Sequence, residues 1–148
     1  MFRDVAGHED LTGAIVDCGI RVHETLGPGL LEAVYKACLN IELLEAGLKI
    51  DTTRRGSITY HGRRIESFYC PDLVVNDLVI VELKSVDRLA PIHSSQLITY
   101  LKLTQLPVGL LMNFNVGLLK NGVRRVARPD LYIRNAPKAV QPRDDGQP

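Results

Sequence analysis

The sequence predicts an α/β domain with a mixed central sheet, and three observations carry that prediction. Apolar residues recur at helical spacing across residues 9–46. A β-branched, almost wholly apolar run stands at Val79-Ile80-Val81-Glu82-Leu83-Lys84. Helical spacing then returns over residues 91–103. A run of the second kind is what a central strand covered on both faces requires.

Taken in order, residues 9–26 place Leu11, Ile15, Cys18, Val22 and Leu26 three and four apart, one face of an amphipathic helix. Gly27-Pro28-Gly29 ends it, because glycine accepts a left-handed cap and proline cannot continue the helix. A second helix is expected over residues 30–46, stopping at Gly47, and so short a connection makes the two a helical hairpin. The period then changes. Ser57–Tyr60 and Ile65–Tyr69 flank His61-Gly62-Arg63-Arg64 as strand, turn and strand. Asp72–Val75 and Leu78–Lys84 flank the turn signal Asn76-Asp77. Pro91 opens a third helix, Val108–Phe114 is a second buried strand, and Val123–Ala127 is a possible extra edge strand. The expected order is ααβββαβ, with that edge strand last.

The 148 residues suit one domain, and 45% apolar with 24% charged lies in the range of soluble globular proteins. Composition shifts after Arg128: Pro129, Pro137, Pro142 and Pro148 mark residues 129–148 as a partly docked, then disordered tail behind a domain of residues 1–128. The three cysteines are widely spaced, which fits reduced thiols better than a disulfide framework or a zinc site. There is no signal-peptide pattern and no apolar run of membrane-spanning length, so a soluble, cytoplasmic protein is expected. Net charge is +1, so no global field draws a polyanion, although arginines cluster at 54–55, 63–64 and 124–128.

The informative feature is charge inside the most apolar strand. Glu82 and Lys84 point to one face and Leu83 to the other. Alone, they could simply mark where a strand reaches water. Asp72, one strand earlier, sharpens the choice. A two-residue loop at Asn76-Asp77 sets Asp72 opposite Val81 and on the wrong face. A three-residue loop, Asn76 to Leu78, sets it opposite Glu82. Paired carboxylates repel and need a counter-ion, and oxygen ligands suit Mg²⁺ or Mn²⁺. Such an ion lowers the pKa of a bound water and stabilises charge on a phosphate, with Lys84 placed to orient the water or hold the phosphate.

Pro71-Asp72 followed by Glu82-Leu83-Lys84 resembles the signature of the PD-(D/E)XK nuclease superfamily. Gly29-Leu30-Leu31-Glu32-Ala33-Val34-Tyr35 is similar to the motif of the GxxExxY protein family within it. His93-Ser94-Ser95-Gln96-Leu97-Ile98-Thr99-Tyr100 resembles the Gln-x-x-x-Tyr helix of RecB-like nucleases. The resemblance runs from about residue 10 to 128. It implies a restriction-endonuclease-like core with catalytic Glu32, Asp72, Glu82 and Lys84, of which Glu32, Asp72 and Glu82 hold the metal. It also implies substrate contacts from Gln96, Tyr100, Tyr35 and His93.

The resulting expectation is a Mg²⁺- or Mn²⁺-dependent nuclease acting on DNA before RNA, with a homodimer plausible. Two competing readings stand beside it. One is a non-catalytic module that binds nucleic acid or protein through the same fold. The other is a structural homo-oligomer in which Asp72 and Glu82 lie far apart as solvated charges.

Overall fold

The computed structural model describes residues 8–66 and 69–129. The tail expected from residue 129 falls almost entirely outside these residues, as do residues 67 and 68 of the strand expected over 65–69. Two helices come first, α1 (Glu9–Leu26) and α2 (Glu32–Glu45). Gly27 between them holds φ 67, ψ −176, a conformation that a side chain would resist. The strands are β1 (Ile50–Asp51), β2 (Ser57–Tyr60), β3 (Arg63–Glu66), β4 (Leu73–Val75) and β5 (Val79–Lys84). Then follow α3 (Pro91–Thr104), β6 (Val108–Asn113), a 3₁₀ turn (Leu119–Gly122) and β7 (Val123–Ala127).

The main sheet is mixed, in the order β1-β4-β5-β6-β7. β5 and β6 are parallel, joined by the crossover through α3, and the other pairs are antiparallel. β5 is therefore interior, and its residues 79–83 are all buried. Val123–Ala127 forms the edge strand that the sequence allowed.

Two apolar cores lie on opposite faces. Leu73, Val75, Val79, Val81 and Leu83 pack with Ile15 and Val22 of α1 and with Tyr35, Leu39 and Leu43 of α2. Val74, Ile80 and Leu111 pack with Leu97 and Leu101 of α3. Alternation along β5 thus turns Glu82 toward the α3 layer. Gly109 lets α3 lie close to the sheet, since an added Cβ would meet Leu97 Cδ1 at 2.8 Å.

Two details differ from the sequence expectation. The β2–β3 hairpin forms its own two-stranded sheet and does not join the central one. Its turn is only His61-Gly62, both at positive φ (47 and 72), so Arg63 and Arg64 are strand residues. β1 has two residues, too few to show a period.

Candidate active site

β4 and β5 build the site. Their pairs are Val75 with Val79, Val74 with Ile80 and Leu73 with Val81, so the loop holds three residues. Asn76 and Asp77 take left-handed backbone (φ 52 and 56), and the Leu78 N–H closes the turn on the Val75 carbonyl at 3.0 Å. Asparagine and aspartate tolerate that conformation better than other side chains. Leu78 is the extra residue that makes the loop odd. The same register, one step further, sets Asp72 opposite Glu82 on the α3 face.

The two acids are tied by backbone hydrogen bonds. The Asp72 N–H donates to Glu82 Oε1 at 3.1 Å, and the Leu83 N–H donates to Asp72 Oδ2 at 2.8 Å. Tyr69 also donates its hydroxyl to Glu82 Oε1. These bonds leave Glu82 Oε2 and Asp72 Oδ1 without hydrogen-bond partners among the described residues.

Burial sets the electrostatics. It pushes the Glu82 carboxyl above its ordinary value, and the charge of Asp72 pushes in the same direction. The Tyr69 hydrogen bond and the Lys84 ammonium pull it back. Burial also raises the Tyr69 phenol, helped by the Glu82 charge, so the hydroxyl stays a donor. The Tyr69 ring stacks on Tyr100 of α3, with centroids 3.3 Å apart and planes 12° from parallel. Tyr100 is raised by burial and then by Glu82. The reading in which Asp72 and Glu82 are distant solvated charges does not survive this geometry.

Glu32 arrives from the other layer. It opens α2, and its Oε1 accepts the N–H of Ser85, the residue that follows β5, at 3.2 Å. The Ser85 hydroxyl donates to the Leu30 carbonyl at 2.7 Å, so two bonds join the start of α2 to the end of β5. Asn113 anchors the same loop. Its side chain accepts the Val86 N–H at 3.1 Å and donates to the Val86 carbonyl at 2.9 Å.

The residues expected at the substrate divide. Tyr100 lies at the site beside Tyr69, and Gln96, one turn earlier, is exposed. Tyr35 is fully buried. Its ring stacks on Phe114, and its hydroxyl donates to the Gly27 carbonyl at 2.5 Å and accepts the Leu30 N–H at 3.1 Å. It braces the turn that carries Glu32. His93 is a cap: its Nδ1 accepts the Ala90 N–H at 3.0 Å, and its backbone N–H donates to the Ala90 carbonyl at 3.0 Å.

An acid pair across an antiparallel step, followed by a lysine on the same face, thus stands where the sequence motif placed it. The family model of the PD-(D/E)XK nuclease superfamily matches residues 9–126. The chain belongs to the PD-(D/E)XK nuclease superfamily. Comparison with curated proteins and with solved structures gives no match.

As a PD-(D/E)XK domain it is of the nuclease type, and nucleases of this superfamily generally use divalent metals. Asp72 and Glu82 fit that need in part. Each has an unengaged oxygen, and their mutual repulsion calls for a cation. Among the described residues, however, no group of three or more His, Cys, Asp or Glu side chains is gathered to hold one. The third acid, Glu32, is engaged with Ser85 instead. Also among the described residues, no helix is long and apolar enough to cross a membrane.

Sequence reasoning missed Tyr69, Ser85 and Asn113. Asn113 had a signal, as a polar residue ending an apolar strand. Tyr69 had only its position three residues before Asp72.

Proposed function

We propose that the protein is a divalent-metal-dependent nuclease that hydrolyses phosphodiester bonds of DNA, and of RNA second. The observation that carries this reading is the Asp72–Glu82 pair, faced across β4 and β5 with Lys84 two residues on. A structural scaffold gains nothing from two adjacent carboxylates, one of them buried.

In this reading Asp72 and Glu82 would hold Mg²⁺ or Mn²⁺, with Glu32, whose Oε1 accepts the Ser85 N–H, as the third candidate ligand. The cation supplies positive charge against the phosphate and acidity for the attacking water. Lys84 faces the phosphate and holds it or the water in line. Gln96 and Tyr100 border the strand that is cut. Tyr69 holds Glu82 by one oxygen and leaves the other turned to the ligand. Membership of the narrower GxxExxY family is part of the same proposal. Gly29, at φ 97, makes the turn, Glu32 reaches Ser85, and Tyr35 locks the turn in place, so each motif position has a structural task.

One observation favours the second reading, a non-catalytic nucleic-acid-binding module: among the described residues no three acids are gathered into one group. Incubating DNA with the protein and Mg²⁺ or Mn²⁺ separates the two. Cleavage by the wild type, lost in Glu82→Gln and in Lys84→Ala, supports the nuclease. The lysine variant should still bind metal by calorimetry. Binding of DNA without cleavage under either metal would establish the module instead.

A further inference from the structure

We propose that the β2–β3 hairpin is an arm that enters a groove of duplex DNA. This inference rests on the nuclease reading and names the form of substrate that the same site would take.

The hairpin stands apart from the central sheet, and every residue of its two strands except Ser57 is exposed. The register pairs Ile58 with Ile65 and Tyr60 with Arg63, so these four share one face. Ile58, Tyr60 and Ile65 are 46%, 62% and 49% exposed, an apolar surface that no part of the described chain covers. A two-stranded hairpin alone is marginal in water, which makes a solvent-facing apolar ribbon costly unless something else packs on it. Its tip is a tight two-residue turn, with the Tyr60 ring edge-on to His61 at 4.4 Å.

The base of the arm is fixed beside the acids. Gly56, just before β2, is buried against α3, where an added Cβ would meet Leu103 Cβ at 2.7 Å. That helix carries Tyr100, which stacks on Tyr69. Only residues 67 and 68 separate the end of β3 from Tyr69, the donor to Glu82. Whatever the arm grips is therefore presented to Asp72 and Glu82.

Charge selects the occupant. Residues 54–66 hold four arginines against one glutamate, a net +3. The whole chain carries +1, so everything outside this segment sums to −2. Arg54 is bound to Asp51 and Asp77, and Arg64 to Glu66. Arg55 and Arg63 have no ion-pair partner among the described residues, and Arg63 lies on the apolar face. A face of isoleucine, tyrosine and arginine matches a polyanion with apolar groups in its grooves. A second copy packed face to face would bring positive arms together. The major groove, about 12 Å wide, admits a two-stranded ribbon, and four strand residues span about 13 Å.

The test is binding of the full-length chain to a labelled DNA duplex in Ca²⁺, so that binding is read apart from cleavage, with salt varied. Wild type should bind. Arg55→Ala/Arg63→Ala should weaken binding about 10-fold and flatten the plot of log K against log salt by about two. Its melting temperature should be nearly unchanged, because both residues are exposed and neither side chain has an ion-pair partner among the described residues. Equal affinity and slope in the double arginine variant would overturn the arm, and cleavage by wild type in Mg²⁺ would then leave the nuclease reading standing. A wild type that neither binds nor cleaves would remove both. Tighter binding to the single strand than to the duplex would overturn the groove assignment. So would a concentration-dependent dimer that disappears in Ile58→Thr/Ile65→Thr.

Discussion

Asp72 gives its backbone N–H to the carboxylate of Glu82, at 3.1 Å, across the β4–β5 step. The Asp72 carboxylate in turn takes the N–H of Leu83, at 2.8 Å. Each acid is thus oriented by the backbone beside the other, and the charges are held in a fixed geometry before any ligand arrives.

That arrangement separates charge from support at Asp72. Asp72→Asn keeps an oxygen for the Leu83 N–H and removes the charge, so cleavage should vanish with the melting temperature nearly unchanged. Asp72→Ala also strands the buried N–H, at a cost of about 1–3 kcal/mol. Denaturant melts of the two variants check this, and an equal loss of stability in both would show that the charge itself supports the fold.

Glu82 predicts a pH dependence of stability. Its folded pKa lies above the ordinary 4.5, because of burial first and the Asp72 charge second. Its protonated form favours the fold, so its stabilising contribution is complete below about pH 4.5 and is lost as pH rises through the raised value. Glu82→Gln stays neutral throughout. In metal-free buffer its advantage in melting temperature over wild type should therefore grow from acid to neutral pH. A constant difference across that range would refute the cause given.

Tyr69 is a positioning residue. Its hydrogen bond favours ionised Glu82, so Tyr69→Phe should raise the carboxyl further and move the acid limb of the kcat/KM profile to higher pH. A profile lowered uniformly, with no shift along the pH axis, would mark a merely structural loss.

Glu32→Gln keeps an oxygen for the Ser85 N–H. Folding should be unaffected, and cleavage should fall at least about 10-fold if the charge serves the reaction, as a change of about 1.4 kcal/mol in the barrier would give. Unaltered turnover would confine Glu32 to holding the end of β5.

His93→Ala removes the acceptor for the Ala90 N–H at the start of α3, and by analogy with other helix caps should cost about 1 kcal/mol. Turnover per folded molecule should not change. A loss of kcat at full folding would restore His93 to the chemistry.

The sequence made the large elements legible because each carries a period: α1, α2 and α3 at helical spacing, and β5 and β6 as apolar runs. It left the β4–β5 register undecided, because Asn76-Asp77 serves a two-residue loop as readily as part of a three-residue one. The pairing of Val75 with Val79, which leaves Leu78 in the loop, settled it. It misjudged the first hairpin because Ile58, Tyr60 and Ile65 alternate just as half-buried strand residues do, although here they face outward. Tyr35 and His93 share motifs with site residues, yet one fills the core and the other caps a helix. Local spacing cannot separate a side chain that lines a site from one that holds it up. Tyr69 was beyond reach for a related reason: its bond to Glu82 exists only after β4 and β5 have paired.

The three-residue loop carries a consequence for how such chains can vary. Residues directly opposed in an antiparallel hairpin always differ in number by one more than the loop length, plus a multiple of two. With an odd loop, as here, the interval from the aspartate to the glutamate must be an even number. Substituting Leu78 leaves that parity intact, whereas deleting it breaks parity. The two acids would then point away from each other although neither had been touched. Counting the residues between them is therefore a test, made on sequence alone, of whether a related chain can assemble this pair without a bulge.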